Sequence, residues 1–323
     1  MLKSLMKAAI LEEFGNVDEL KIKQVLKPQP EPHQILVRVC ATSINPVDYQ
    51  IRRGDYKDLV ELPAIIGVDI SGVVEAVGRS VTNFQIGDEV YYSPELFGKS
   101  GSYAEYHVAD EHIVAHKPAN ISHLEAACFP LAAGTAWDCL VTRGQLQIGE
   151  SVLIHAGAGG VGSFAIQLAK AMGAYVFTTC SAKNRDLVEK LGADCIINYQ
   201  TENYAAVVKH ETQGKGIDLV LDTIGGKTIQ ESLEIIRSYG RLVSIVDVTT
   251  PQTLLAAWDK NLTIHFVFTS QQSHKLNSLK RLIDRKQLFP IIDRVMPLHQ
   301  IAKAHQRIEQ GSTRGKIVLK VFD

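Results

Sequence analysis

HAGAGGVGSFAIQLAKAMGA, residues 155–174, decides how this chain is read. Four glycines crowd its front half, and an apolar helical pattern fills the rest. SVLIH (151–155) leads into it as a strand. Gly157, Gly159 and Gly162 therefore stand in GxGxxG spacing at a strand-to-helix junction. There Gly157 allows a sharp turn, Gly159 lets main chain approach a pyrophosphate, and Gly162 lets helix and strand pack closely. Gly160 and Val161 complete the turn. Its free N–H groups lie at the positive end of a helix dipole and favour an anion. The stretch predicts a bound dinucleotide.

Outward from the glycines, strands and helices alternate. AYVFTTC is followed by KNRDLVEKLG, DCIINY and DLVLDTIG come next, and QESLEIIRSYG reads as a helix before the strand RLVSIV. LTIHFVF supplies one more strand. Such alternation predicts a doubly wound parallel sheet in an α/β fold. Earlier, Lys7–Leu11, Leu20–Val25, Gln34–Ala41, Ile65–Val77 and Asp88–Tyr92 read as strands cut by Gly and Pro, so the first third is mainly β. The texture changes at Ser122, where Ser122 and Glu125 form a capping-box pattern. The tail offers the helices HKLNSLKRLIDRKQ and IAKAHQRIEQG and a final strand GKIVLKVF.

The 323 residues suffice for two domains. A net charge of −1 gives no reason to expect nucleic acid or an anionic membrane as partner. No run of about 20 apolar residues occurs, and the amino-terminal segment is no secretory signal, so a cytoplasmic protein is expected. The five cysteines form no CxxC pair and read as reduced thiols rather than metal ligands. The histidines, including His107, His112, His116 and His155, fit no HExxH or triad pattern, and no metal site is expected.

The cofactor choice is read at the end of the strand after the glycine turn. NAD sites place an acid there for the ribose 2′-hydroxyl. Here the strand ends in Cys180-Ser181-Ala182-Lys183-Asn184-Arg185, with no carboxylate before Asp186. Hydroxyl and basic groups suit a 2′-phosphate, so NADPH is expected, with Ser181, Lys183, Asn184 and Arg185 as contacts.

Taken together, ATSINPVDYQIRRGDY (41–56), GVDISGVVEAVG (67–78), GDEVY (87–91), GSYAEYHV (101–108), HAGAGGVG (155–162), LGADCIINY (191–199), DLVLDTIGG (218–226) and GKIVLKV (315–321) resemble the medium-chain dehydrogenase/reductase superfamily in its zinc-free quinone oxidoreductase branch. The likeness spans nearly the whole chain. It implies a GroES-like β-rich catalytic domain built from both chain ends (1–126 and 269–323), a Rossmann domain (127–268), and an active site in the cleft between them. Zinc enzymes of the superfamily carry Cys where Asn45 stands and GHE where Gly67-Val68-Asp69 stands, so the resemblance implies no catalytic zinc.

The same resemblance names site residues. Tyr56, in RRGDY, matches a proton-donating tyrosine of related enoyl reductases. Asn45 and Asp48 match an NxxD pattern, Asn45 toward the nicotinamide ribose or the substrate oxygen and Asp48 as an orienting group. Gln50 stands where quinone reductases of the branch carry a second tyrosine. Thr135 falls on the nicotinamide side, Tyr199 where adenine packs, and Ile224 and Gly225 beside the ribose. Val246 ends the next strand, Phe266 and Phe268 offer main-chain groups to the carboxamide, and Lys316 lies near the cofactor phosphates. Relatives pair through the strand matching Asn261–Phe268, so a homodimer is expected.

The expected function is NADPH-dependent, zinc-independent reduction of quinones or α,β-unsaturated carbonyls. Two alternatives stay open at this stage: a 2-enoyl thioester reductase, and a non-catalytic NADPH-binding regulatory protein.

Overall fold

The computed structural model describes residues 4–246, 251–311 and 313–322. Along the chain run β1 (Leu5–Leu11), β2 (Leu20–Leu26), β3 (Gln34–Ile44), α1 (Pro46–Arg53), β4 (Ala64–Ile65), β5 (Ile70–Val77), β6 (Glu89–Tyr92), β7 (Tyr106–Asp110), β8 (Ala115–His116), α2 (His123–Ala126) and α3 (Pro130–Trp137). Then follow β9 (Ser151–Ile154), α4 (Gly160–Ala171), β10 (Tyr175–Cys180), α5 (Arg185–Lys190), β11 (Cys195–Asn198), α6 (Tyr204–Glu211), β12 (Ile217–Asp222), α7 (Lys227–Leu233), β13 (Ile236–Ser244), α8 (Pro251–Asp259) and β14 (Thr263–Phe266). The chain closes with α9 (Ser273–Asp284), β15 (Ile292–Pro297), α10 (Ile301–Glu309) and β16 (Lys316–Lys320). Two compact units result, one holding residues up to Ala132 and from Ser270 onward, the other Ala133–Thr269.

In the second unit six strands pair in the order β11-β10-β9-β12-β13-β14, every neighbour parallel. This is the doubly wound Rossmann arrangement, with β9 and β12 flanking the point where the strand order reverses. Helices cover both faces of such a sheet, which is why its strands are nearly unbroken apolar runs. Leu153, Phe177, Val220 and Leu242 sit in the core, 3% exposed or less. The helix expected over QESLEIIRSYG is corrected: α7 stops at Leu233, and Ile236 already pairs with Ile217 in the sheet. Ile229, Leu233 and Ile236 carry helical spacing, but β13 buries Ile236 in the sheet and passes through an irregularity in which Tyr239 has φ 60°.

The first unit is GroES-like and β-rich. A seven-stranded sheet runs β15-β16-β3-β5-β6-β8, with β7 also on β3, beside a small sheet β2-β1-β4. One edge of β3 is shared. Its first half (Gln34–Arg38) pairs with β7 and its second half (Ala41–Ile44) with β16 from the chain's far end. Sequence reading missed α1, β7, β8 and β15 here, and α6 and α8 in the second unit. Helix α1 carries its own signals: Asn45 at the N-cap, Pro46 at the first helical position, and Gly54 left-handed (φ 92°) at the end. At α2 the capping box forms as expected, Glu125 N donating to Ser122 Oγ at 3.3 Å and Ser122 N to Glu125 Oε2 at 2.8 Å.

Candidate active site

The glycine turn follows β9 and opens α4. Gly159 is the N-cap, and Ser163 N bonds Gly159 O, so the N–H groups of Gly160, Val161 and Gly162 have no acceptor within the helix. The expectation that Gly157 makes the sharp turn is corrected. Ala156 takes the left-handed conformation, with φ 52°. Gly157 is needed for closeness instead: a Cβ there would stand 2.1 Å from Thr178 Oγ1. At Gly162 a Cβ would meet Ala156 O at 2.3 Å. At Gly159 the nearest atom is Ala156 O at 3.2 Å, so one face of this residue is open. The bare face, the free donors and the helix end fit a diphosphate.

A cavity of about 700 Å³ opens at the carboxyl ends of β9 to β12, walled by Ala156, Thr179, Tyr199, Ile224 and Thr228. Tyr199 and Ile224, both lining this cavity, are more than half exposed and offer it an apolar surface. His155 lies on the floor, 1% exposed, its Nε2 3.1 Å from Ser232 Oγ and its Nδ1 3.3 Å from Thr179 Oγ1. Burial pushes its imidazole down to about 4, so it is neutral at pH 7. Thr179 Oγ1 also accepts from Ala156 N at 3.1 Å, fixing the turn to β10. Gly225 (φ +82°) is held by Asp222, whose Oδ2 takes Gly225 N at 2.9 Å and Ser244 Oγ at 2.8 Å. Val246 packs on Gly225, and Thr135 is buried in α3. Ser181 and Asn184 are buried after β10, and Asn184 Oδ1 has no hydrogen-bond partner. Lys183 and Arg185 are exposed beside them, outside the cavity lining. Phe266 and Phe268 are exposed at the end of the edge strand β14.

The first unit holds a second constellation, entirely buried. Asp69, at 0% exposure, accepts four bonds: from Ser43 Oγ (2.5 Å), Asn45 Nδ2 (2.7 Å), Leu131 N (2.8 Å) and Lys316 Nζ (3.2 Å). Lys316 Nζ also donates to Ile44 O at 3.0 Å and to Asn45 Oδ1. Here the expected role of Lys316 is corrected. Its ammonium is 3% exposed and spends all three donors inside the first unit, leaving none for a phosphate.

Asp48 lies one helical turn beyond Asn45. Its Oδ2 accepts Asn45 N (2.8 Å) and the Tyr103 hydroxyl (2.7 Å), whereas its buried Oδ1 has no partner. Burial, opposed by those bonds, pushes its carboxyl up to about 7. Behind it the donors form a line. Arg52 Nε donates to His305 Nδ1 (3.4 Å), which leaves His305 Nε2 protonated to donate to Tyr103 (3.3 Å). Arg52, 1% exposed, also reaches Gly15 O at 2.5 Å and pairs with Glu309. Tyr56 is half-buried, its ring 5.1 Å from that of Phe97. The structure thus brings Asn45, Asp48 and Lys316 together. In the other unit Tyr199 and Ile224 line one cavity with Ala156, the residue that precedes the glycines of the turn.

Known proteins carry the same pattern. The alcohol dehydrogenase GroES-like domain family matches residues 31–119, and the zinc-binding dehydrogenase family matches 191–319. Human quinone oxidoreductase is 30% identical over 326 residues, covering 98% of each chain. The chloroplastic NADPH-dependent alkenal/one oxidoreductase of Arabidopsis thaliana is 34% identical over 328 residues, covering 97% of this chain and 79% of that one. The chain belongs to the quinone oxidoreductase branch of the medium-chain dehydrogenase/reductase superfamily. The solved quinone oxidoreductase of Coxiella burnetii, 34% identical, superposes with a TM-score of 0.91 over 99% of this chain and 100% of that one.

As a member of this NAD(P)-dependent family the protein is an oxidoreductase acting on small molecules, which decides against a non-catalytic binder. Among the described residues no helix is long and apolar enough to cross a membrane. For this quinone oxidoreductase relative, sequence reading missed Asp69, Tyr103, Arg52 and His305. Their partners lie 24 to 257 positions away, and no local pattern pairs them. Asp222 and Thr179 were missed as well, though each lies at or next to the end of a strand beside the glycine turn, which is a usable signal.

Proposed function

We propose that the protein is an NADPH-dependent, zinc-independent reductase of quinones or α,β-unsaturated carbonyls. The observation that carries this reading is the donor set around Asn45 and Asp69. Val68 stands at the histidine position of the zinc enzymes. Asp69 is saturated by four protein donors, one of them the Lys316 ammonium. These residues do not fit a zinc ion. Without such a Lewis acid, the acceptor that suits the site is one whose own conjugation spreads the incoming charge.

NADPH, when bound, supplies a hydride from C4 of its nicotinamide. The N–H groups of Gly160, Val161 and Gly162 would hold the pyrophosphate, Tyr199 would pack on the adenine, and Ile224 would line the ribose. Ser181, Lys183, Asn184 and Arg185 favour the 2′-phosphate, in keeping with the absence of an acid at the end of β10. Thr135, Gly225, Val246 and the main chain at Phe266 and Phe268 serve the nicotinamide half. Asn45 donates its remaining amide hydrogen to a ribose or substrate oxygen. Tyr56 gives its phenolic proton to the enolate left after hydride addition, so the product gains one hydride and one proton. A cytoplasmic homodimer joined along Asn261–Phe268 completes the proposal, since β14 is an open edge.

The test is steady-state NADPH oxidation with p-benzoquinone, a short-chain enone and crotonyl-CoA, repeated with NADH and with Tyr56→Phe. A preference for NADH, stoichiometric zinc in the active protein, or crotonyl-CoA as the best acceptor would each overturn its part of the reading.

A further inference from the structure

The amide of Asn45 is held between opposite charges. Its oxygen faces the Lys316 ammonium, and its nitrogen donates to Asp69 Oδ2 at 2.7 Å. Turning the amide over would put N–H against ammonium and carbonyl against carboxylate, two repulsive contacts at once. The residue's own N–H is tied to Asp48, so neither main chain nor side chain is free to rotate. Lys316 and Asp69 are buried, at 3% and 0% exposure, and the three residues are joined across the N-cap of α1, the segment before β5, and β16.

We propose that Lys316 and Asp69 are positioning residues that act through Asn45. Lys316 is a tethered cation that fixes the amide in one orientation and leaves one amide hydrogen to present to cofactor or substrate. The inference rests on the proposed reductase function for its kinetic part and stands without it for its structural part. An isolated buried ion pair returns little stability after desolvation, so orientation is the better reason for placing an ammonium here. Because the cation is covalently part of β16, it cannot be lost as a metal can.

The test uses the full-length protein with Lys316→Met, Lys316→Arg, Asn45→Ala and the double variant Asn45→Ala/Lys316→Met. In the nucleotide-free protein, hydrogen exchange of the Asn45 side-chain amide is followed by 15N NMR. It is slow in the parent and in Lys316→Arg, and at least about 10-fold faster in Lys316→Met, as expected when the acceptor's partner is removed. With NADPH and p-benzoquinone, kcat of Lys316→Met falls roughly 10- to 100-fold, the scale of a small misplacement. The KM for NADPH stays within about twofold, because uniform binding is untouched. Lys316→Arg recovers most of the loss, and in the Asn45→Ala background Lys316→Met costs nothing further. Unchanged amide exchange in Lys316→Met, or kcat losses that multiply in the double variant, overturns the proposal. If Lys316→Met does not fold, amide exchange and kcat in Lys316→Arg decide: fast exchange with parental kcat refutes it. If the parent reduces no acceptor, the functional reading fails while the exchange measurement still judges the orientation.

Discussion

Replacing Gly159 and Gly162 separately by alanine divides what the turn does for the fold from what it does for a ligand. At Gly162 the new methyl would lie 2.3 Å from Ala156 O and 2.8 Å from Gly157 Cα. Both are main-chain atoms, so about 1 Å of backbone displacement is forced, and overpacking of this kind costs about 1–3 kcal/mol. At about 3 °C per kcal/mol for a unit of this size, Gly162→Ala should melt about 3–9 °C lower. At Gly159 the same methyl meets only Ala156 O, at 3.2 Å, and the backbone (φ −79°, ψ −179°) is extended and open to any residue. Gly159→Ala should melt within about 2 °C of the parent, since at this half-buried position Ala156 O need give only a few tenths of an ångström. Yet its methyl occupies the face the diphosphate would approach, and a loss of about 1.4 kcal/mol or more raises the NADPH dissociation constant at least tenfold. Thermal melting and nucleotide fluorescence titration, run on both variants, give the comparison. Gly159→Ala that binds NADPH as tightly as the parent would refute the placement of the diphosphate at this turn.

Three further outcomes follow from the buried polar groups and the basic rim. Burial holds His107 and His155 down to about 4 and His305 to about 3, so below the ordinary 6.5 the unfolded chain takes up protons that the folded chain refuses. Stability should be full above pH 6.5 and fall below it. Asp48, raised to about 7, works in the opposite sense: its folded form holds a proton between about 4 and 7 that the unfolded form lacks. The three histidines outweigh this one carboxyl, so stability should rise with pH near 5.5, and Asp48→Asn should steepen that rise while raising the melting point more at pH 8 than at pH 5. Denaturant midpoints across that range check this, and a flat profile contradicts it. Arg52→Met should cost about 3 kcal/mol in urea unfolding by stranding Gly15 O and Glu309, and a loss below about 1 kcal/mol would show the pair to be incidental. Lys183→Glu with Arg185→Glu should lower the NADPH/NADH ratio of kcat/KM at least about tenfold, and an unchanged ratio would move the 2′-phosphate elsewhere.

Local chemistry in the sequence marked the Rossmann half well. A strand, a glycine turn and a helix each declare themselves within a few residues, and the apolar runs declare the other strands, whereas α6 and α8 went unread. The misreading at Ile229, Leu233 and Ile236 arose because three apolar residues satisfy helical spacing equally well when the last of them belongs to a strand. Strand β15 was hidden because it is an edge strand whose Asp293 and Arg294 break the alternation. The Asn45 constellation was legible only as separate residues. Lys316 meets Asn45 across 271 positions, and Arg52 meets His305 across 253, distances over which one sequence carries no pairing signal.

The shared edge of β3 also has a consequence during synthesis. Its first half can close on β7 early, but the half that ends at Ile44 must stay open until β16 leaves the ribosome. Asp69 waits for Lys316 through 247 residues, on the order of 12 to 50 seconds of translation. Until then a nascent chain carries an unclosed sheet and a carboxylate without its cation, while the whole second unit has already emerged. Stalled or truncated products lacking the last strand should therefore be the forms that chaperones and proteases find first.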